Sequence, residues 1–345
     1  RDDIPGEPAS FHLHGVPWRV VSTGRAATET EPTAVAQPGS TVSYEWSVPA
    51  GEPSATHYAH SHGSDQTAAR KQTEHGLYAG LVVEPPGSSW TDPRSARAAP
   101  GWDAIVRRRD GSSFREFTLF YAEDGDEPYQ LLTRDGAFVD LVDDLTGAYK
   151  PAARWVNYRS EPFLDRLALE QEQTGRYDES GAYSSYAFGD PATPVMRSYL
   201  GDPVVQRVLH AGSEVLHVHH VHGGSIRWRR QPGLGPVDTT SGLTKKPALL
   251  PGPSERTDAQ SMAPAETFDQ WSECGSGGCQ ASVGDFLWHC HVAQHYFAGM
   301  WGLWRVYGTL QNGPASTDAF PPLVSLPDRA GAVRPAVRAS ALLGT

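Results

Sequence analysis

Ten of the 14 histidines in this 345-residue chain fall in four short clusters, and their spacing restricts the local backbone more than any other feature. The clusters are Phe11-His12-Leu13-His14-Gly15, His60-Ser61-His62-Gly63, His217-Val218-His219-His220-Val221-His222-Gly223 and His289-Cys290-His291. His295 and Met300 follow the last of them. In a β-strand, residues i and i+2 project to the same face. Each His-x-His on a strand therefore aims two imidazoles one way. His289 and His291 then share a face, and Cys290 points to the other. A single strand can serve two metal centres with a short covalent route between them.

The pattern around the clusters is also β. Residues 41–48 alternate behind the Pro38-Gly39 turn signal, and 80–84, 114–121, 204–209, 215–221 and 301–307 read as further strands. Residues 160–175 predict a short helix, with Ser160 as cap, Pro162 in the first turn, Phe163, Leu164 and Leu167 at helical spacing and Gly175 at the stop. The 35 Gly and 28 Pro supply many turns, as short strands require. Strands that bury one face each stack into a two-sheet sandwich or barrel. At roughly 150 residues per domain, the length predicts two domains. We place a β domain over residues 1–88, a less regular connector with a few strands and the helix over 89–191, a second β domain over 192–313 and a loose tail over 314–345. The 29 basic and 40 acidic residues, a net charge of −11, leave no footprint for nucleic acid. No run of about 18 apolar residues predicts a membrane span.

Imidazole suits copper, zinc, iron and nickel. Cys290, His295 and an upstream histidine make a trigonal His₂Cys set, and Met300 can add a weak axial thioether. That is the ligand set of a blue-copper electron-transfer site, whereas structural zinc wants four firm tetrahedral ligands. Cys274 and Cys279 frame Gly-Ser-Gly-Gly and read as a disulfide rather than a second metal site. Closing so small a loop gains roughly 2 kcal/mol in the chain-entropy model.

The four clusters resemble the copper-binding motifs of the multicopper oxidases, the family of laccases, bilirubin oxidases and ceruloplasmin-like ferroxidases. Gly76-Leu77-Tyr78-Ala79-Gly80-Leu81 and Leu209-His210-Ala211-Gly212 also resemble its flanking segments. The resemblance implies an all-β fold of two cupredoxin-like Greek-key sandwiches. It implies four coppers: a type 1 ion on His217, Cys290 and His295 with Met300 axial, a type 2 ion on His12 and His220, and a type 3 pair on His14, His60, His62, His222, His289 and His291. It further implies that electrons from a small reducing substrate pass through Cys290 to His289 and His291, where dioxygen is reduced to water. His219 departs from the family pattern and is left outside the ligand set. Only 11 residues precede His12, so the opening strands of the first sandwich are expected to lie outside this chain.

A carboxylate near the cluster is expected to handle protons. Asp65, Glu74 and Asp285 lie near the motifs, yet each reads as a solvated loop charge, and Arg227-Trp228-Arg229-Arg230 reads as an exposed basic loop. With 3 Met the chain lacks the soft donors of a cuprous oxidase, and no compact acidic cluster marks a ferrous or manganous site. Phenols and aromatic amines are the expected substrates, with metal-ion oxidation, a nitrite reductase and a plain copper carrier as alternatives. A disulfide beside copper chemistry predicts an extracellular or periplasmic location. If the chain has only two domains, the halves of the oxygen site meet between subunits of a homotrimer; otherwise they meet within one chain.

Overall fold

The main core lies between two β-sheets of a computed structural model that describes residues 6–21, 34–48, 54–98, 100–123, 129–132, 138–141, 153–223, 226–230, 255–256, 258–312 and 321–333. One sheet runs in the order Glu255–Arg256, Ile226–Arg230, Thr267–Ser272, Val204–His210, Ser113–Glu123, Asp103–Arg107 and Ser89–Thr91, and Arg154–Val156 also pairs with Ser113–Glu123. The other runs Met196–Tyr199, Trp301–Tyr307, Gly284–Cys290, His217–Val221 and Ala259–Met262. Phe117, Leu119, Tyr121, Val204, Val208 and Phe268 of the first sheet meet Val221, Trp288, Cys290, Trp304 and Val306 of the second. Fully burying each of the large apolar groups contributes about 1.5–3 kcal/mol.

Strand alternation explains how the large sheet serves two cores. Along Ser113–Glu123, Phe117, Leu119 and Tyr121 face the five-stranded sheet. Phe120 and Ala122 face the other way, against Tyr58 and Tyr78. Those tyrosines belong to a three-stranded sheet of His12–Leu13, Ala55–His60 and Tyr78–Val83. With the Trp18–Val20 and Tyr44–Trp46 pair, this sheet encloses a small core of Leu13, Val16 and Ala59. The fold is thus all-β, as the sequence predicts.

The predicted strands are present with edges shifted by a few residues, 41–48 shrinking to Tyr44–Trp46. The helix runs Phe163–Thr174 and stops at Gly175, whose φ of 70° only glycine adopts without cost. Ser160 does not cap it. Its hydroxyl donates instead to the carbonyls of Arg154 and Ala298 at 2.7 and 3.1 Å, because Pro162 occupies the capping position. Residues 89–191 hold that helix and also supply the Ser89–Thr91, Asp103–Arg107, Ser113–Glu123 and Arg154–Val156 strands to the large sheet. Arg227–Arg230, read as a basic loop, belong to the strand Ile226–Arg230, which pairs antiparallel with Thr267–Ser272. Part of the tail also packs: Leu323 and Leu326 are buried, and Leu323 joins Tyr199 and Tyr307. The 22–33, 231–254 and 334–345 segments lie outside the described residues. Among those described, no helix is long and apolar enough to cross a membrane. Cys274 and Cys279 form the expected disulfide.

Candidate metal centres

The register between two strands sorts the histidines. His217–Val221 pairs antiparallel with Gly284–Cys290, with His219 opposite Cys290 and His220 opposite His289. His217 and His219 point into the core with Cys290, and all three are fully buried. His220, His222, His289 and His291 lie on the opposite face. One strand pair therefore holds two separate sets of donors, as the alternation within His-Cys-His requires.

On the inner face, His217, Cys290 and His295 bring one ligand atom each to a common point. The Cys290 Sγ stands 3.9 Å from His217 Nδ1 and 3.6 Å from His295 Nδ1, and the two nitrogens are 3.1 Å apart. Two nitrogens at about 2.0 Å and a sulfur at about 2.3 Å from a shared ion stand roughly 3.3–3.8 Å apart at tetrahedral to trigonal angles. The observed separations bracket that range, so the donor set fits a single ion after small side-chain shifts. His295 sits on the short helix Ala293–Ala298, which turns the chain back so that Met300 N–H donates to the His295 carbonyl and Cys290 N–H to the Met300 carbonyl. Met300 is fully buried in the same core as Cys290. Burial pulls His295 down to about 3, so at neutral pH its ring is uncharged and its lone pair is available.

On the outer face, His220, His222 and His289 gather a second set, and His291 stands 5.2 and 5.4 Å, ring to ring, from His220 and His289. His289 Nδ1 pairs with the Cys290 carbonyl at 2.8 Å, which leaves Nε2 facing His222 Nε2 at 3.3 Å. Burial, with the neighbouring imidazoles, holds His289 at about 4. The third set is His12, His14 and His60, with the His62 ring 5.7 Å from His60 and 5.9 Å from His12. His60 Nδ1 pairs with the Ser61 carbonyl, so the other nitrogen points to the cluster. His62 Nδ1 is buried without a hydrogen-bond partner, as a nitrogen shaped for an ion would be. Each set comes from one half of the chain. Among the described residues no triad draws on both, so the expected pairing of His12 with His220 is not among them.

No protein-family pattern matches the chain, and no curated protein does. Its fold is similar to solved copper proteins. One is a multicopper oxidase at 15% identity, covering 88% of this chain and 71% of that one with a TM-score of 0.46. Another is a copper nitrite reductase from Nitrosomonas europaea at 13% identity, covering 87% and 74% with a TM-score of 0.45. A blue copper oxidase from the same organism is 15% identical, covering 89% and 72% with a TM-score of 0.44.

His219, left out of the ligand set, pairs with the Tyr121 hydroxyl and, at 2.9 Å, with Gln206 Oε1. His57 pairs with the His14 carbonyl at 3.1 Å, and His75 ends the helix Gln66–Glu74. Asp65 caps that helix, accepting from Ala68 N–H. Asp285 pairs with Arg305. Glu74 is not solvated but buried, accepting from Ser213 Oγ at 2.8 Å, because its helix packs against the Ser213 turn. The sequence reading missed Glu123. Its carboxylate stands 2.7 Å from His217 Nε2, and both are fully buried. Burial pushes this carboxyl up, but the His217 contact outweighs it and holds it near 2. Burial likewise pulls His217 down, and its contacts with Cys290 and Glu123 lift it to about 9. The signal was in the alternation: Glu123 is in phase with the inward Leu119 and Tyr121, and a lone inward carboxylate needs a partner.

Proposed function

We propose that this chain is a copper oxidoreductase with dioxygen as its acceptor, laccase-like in its preference for phenols and aromatic amines. The observation that carries the reading is one strand, Gly284–Cys290, whose thiol meets two buried imidazoles on one face while His289 and His291 meet His220 and His222 on the other. Copper on the first set would supply one-electron chemistry, and copper on the histidine sets the reduction of dioxygen to water. His217, Cys290 and His295, with Met300 beside them, hold the first ion. The two histidine sets together hold the other three. The peptide between Cys290 and its two histidine neighbours ties the sites through few bonds, and burial of Cys290 and His217 shields the first site from solvent. Because each histidine set belongs to one half, we place the complete oxygen site in a homo-oligomer, in an extracellular or periplasmic setting consistent with the disulfide.

Copper counting, optical spectra and dioxygen uptake test this together. The expected result is a blue protein with four coppers per oxygen site that consumes dioxygen with a phenol and reduces it without releasing peroxide. Native mass measurement should show more than one chain in the active form. One copper per chain and no dioxygen uptake would point instead to an electron carrier, and nitrite turnover in place of dioxygen uptake to a reductase.

A further inference from the structure

His217 shows its two ring nitrogens to two different groups. Nδ1 faces His295 Nδ1 and Cys290 Sγ, and Nε2 faces Glu123 Oε2 at 2.7 Å. A neutral imidazole has one N–H, and an ionised carboxylate only accepts. When an ion displaces the Nδ1 proton, a ring bonded to Glu123 through Nε2–H turns its Nδ1 lone pair toward Cys290 and His295. The carboxylate is itself anchored. Its Oε1 accepts the backbone N–H groups of Ser213 and Glu214, both at 2.9 Å. The turn is shaped around it: a Cβ at Gly212 would lie 1.7 Å from Glu123 Oε2. Ser213 Oγ donates on to Glu74 of the Gln66–Glu74 helix.

We infer that Glu123 is the positioning residue of the Cys290 site, a role that rests on the copper reading above. It holds the proton of His217 on Nε2, aims Nδ1 at the shared point and places a full negative charge against the ring. A carboxylate bonded to a ligating imidazole makes that imidazole a stronger donor. The oxidised, more positive ion gains most from this, so Glu123 lowers the potential of the site. Glu123→Gln keeps the shape, removes the charge and offers an amide that can accept from or donate to Nε2.

Two measurements on the full chain decide the matter. Nitrogen NMR of the histidine rings in the zinc-loaded wild type should show His217 protonated on Nε2 alone. Redox titration of the copper-loaded protein should show a positive shift in midpoint potential for E123Q, with its blue band kept. A His217 protonated on Nδ1 overturns the inference, and this readout needs no variant and stands even if E123Q fails to fold. A blue wild type whose potential E123Q leaves unmoved also overturns it, without touching the copper reading. A wild type that binds metal but never turns blue sinks the copper reading instead.

Discussion

Met300 shows how much a single side chain can be asked to do. It is fully buried in the core that holds Cys290, and its backbone bonds to both Cys290 and His295. As a weak axial donor it would hold the potential of the site down. Met300→Leu, close in volume, should raise that potential while leaving the colour, and an unchanged or lower value in a redox titration would remove Met300 from the ligand set. His219 is constrained differently. Burial keeps it neutral in the folded chain, with a pKa of about 3 against about 6.5 for an ordinary histidine. The unfolded chain therefore binds a proton that the folded one refuses between those values. The stability this residue contributes is fully present above about pH 6.5 and is lost as pH falls toward 3, at up to about 1.4 kcal/mol per pH unit. Denaturant melts of the metal-free chain should accordingly show a shallower acid decline in His219→Phe than in the wild type. Parallel curves would assign the decline to other groups.

Among the elements, the helix Gln66–Glu74 braces the segment that carries His60 and His62. It follows directly on His60-Ser61-His62, and Gly63 lets it approach, since a Cβ there would lie 2.7 Å from that of Ala68. Ser61 donates to Gln72 on the helix, and His62 N–H donates to Ser10 Oγ at 2.9 Å. Asp65 starts the helix through its bond to Ala68 N–H. Asp65→Ala should cost about 1 kcal/mol in thermal or denaturant unfolding and leave the Cys290 site spectrally unchanged. A change in the blue band would mean that the helix reaches further than its contacts indicate. The strand Gly284–Cys290 contributes register rather than stability alone. A slip of one residue would turn Cys290 outward and both flanking histidines inward.

Across the whole molecule, the joint between the three-stranded sheet and the large sheet is held by buried charge. Arg207 is fully buried and pairs with Glu84, Glu116 and Asp269, which come from three different segments. Thr56 of the Ala55–His60 strand adds a bond to Asp269 at 2.9 Å. Removing the cation would leave Glu116 and Asp269 without a counter-charge out of water, while Glu84 keeps Arg108 at 2.7 Å. Arg207→Met should therefore destabilise the chain by about 3–5 kcal/mol. A loss under 1 kcal/mol by denaturant unfolding would show that water reaches the cluster. The same variant should loosen the His12, His14 and His60 set relative to the His220, His222 and His289 set, which limited proteolysis of the two halves would reveal.

What the sequence determined by itself was periodic. The two-residue repeat of each His-x-His, the parity of His217 against His220 and His222, the Cys290 interruption and the stop at Gly175 are all local, and local spacing decides which face of a strand a side chain takes. The tertiary structure decided everything that depends on which strands become neighbours. Glu123 stands 94 residues before His217, and only the pairing of sheets across the core brings its carboxylate to that ring. Glu74 and Asp65 lie near the same motif, yet one is buried and the other caps a helix, because burial is set by what packs above a residue and not by its neighbours in the chain. Arg207 and its three partners are joined in the same way. The division of the histidines into sets, each drawn from one half, was likewise beyond sequence spacing, since it depends on which strands pack together.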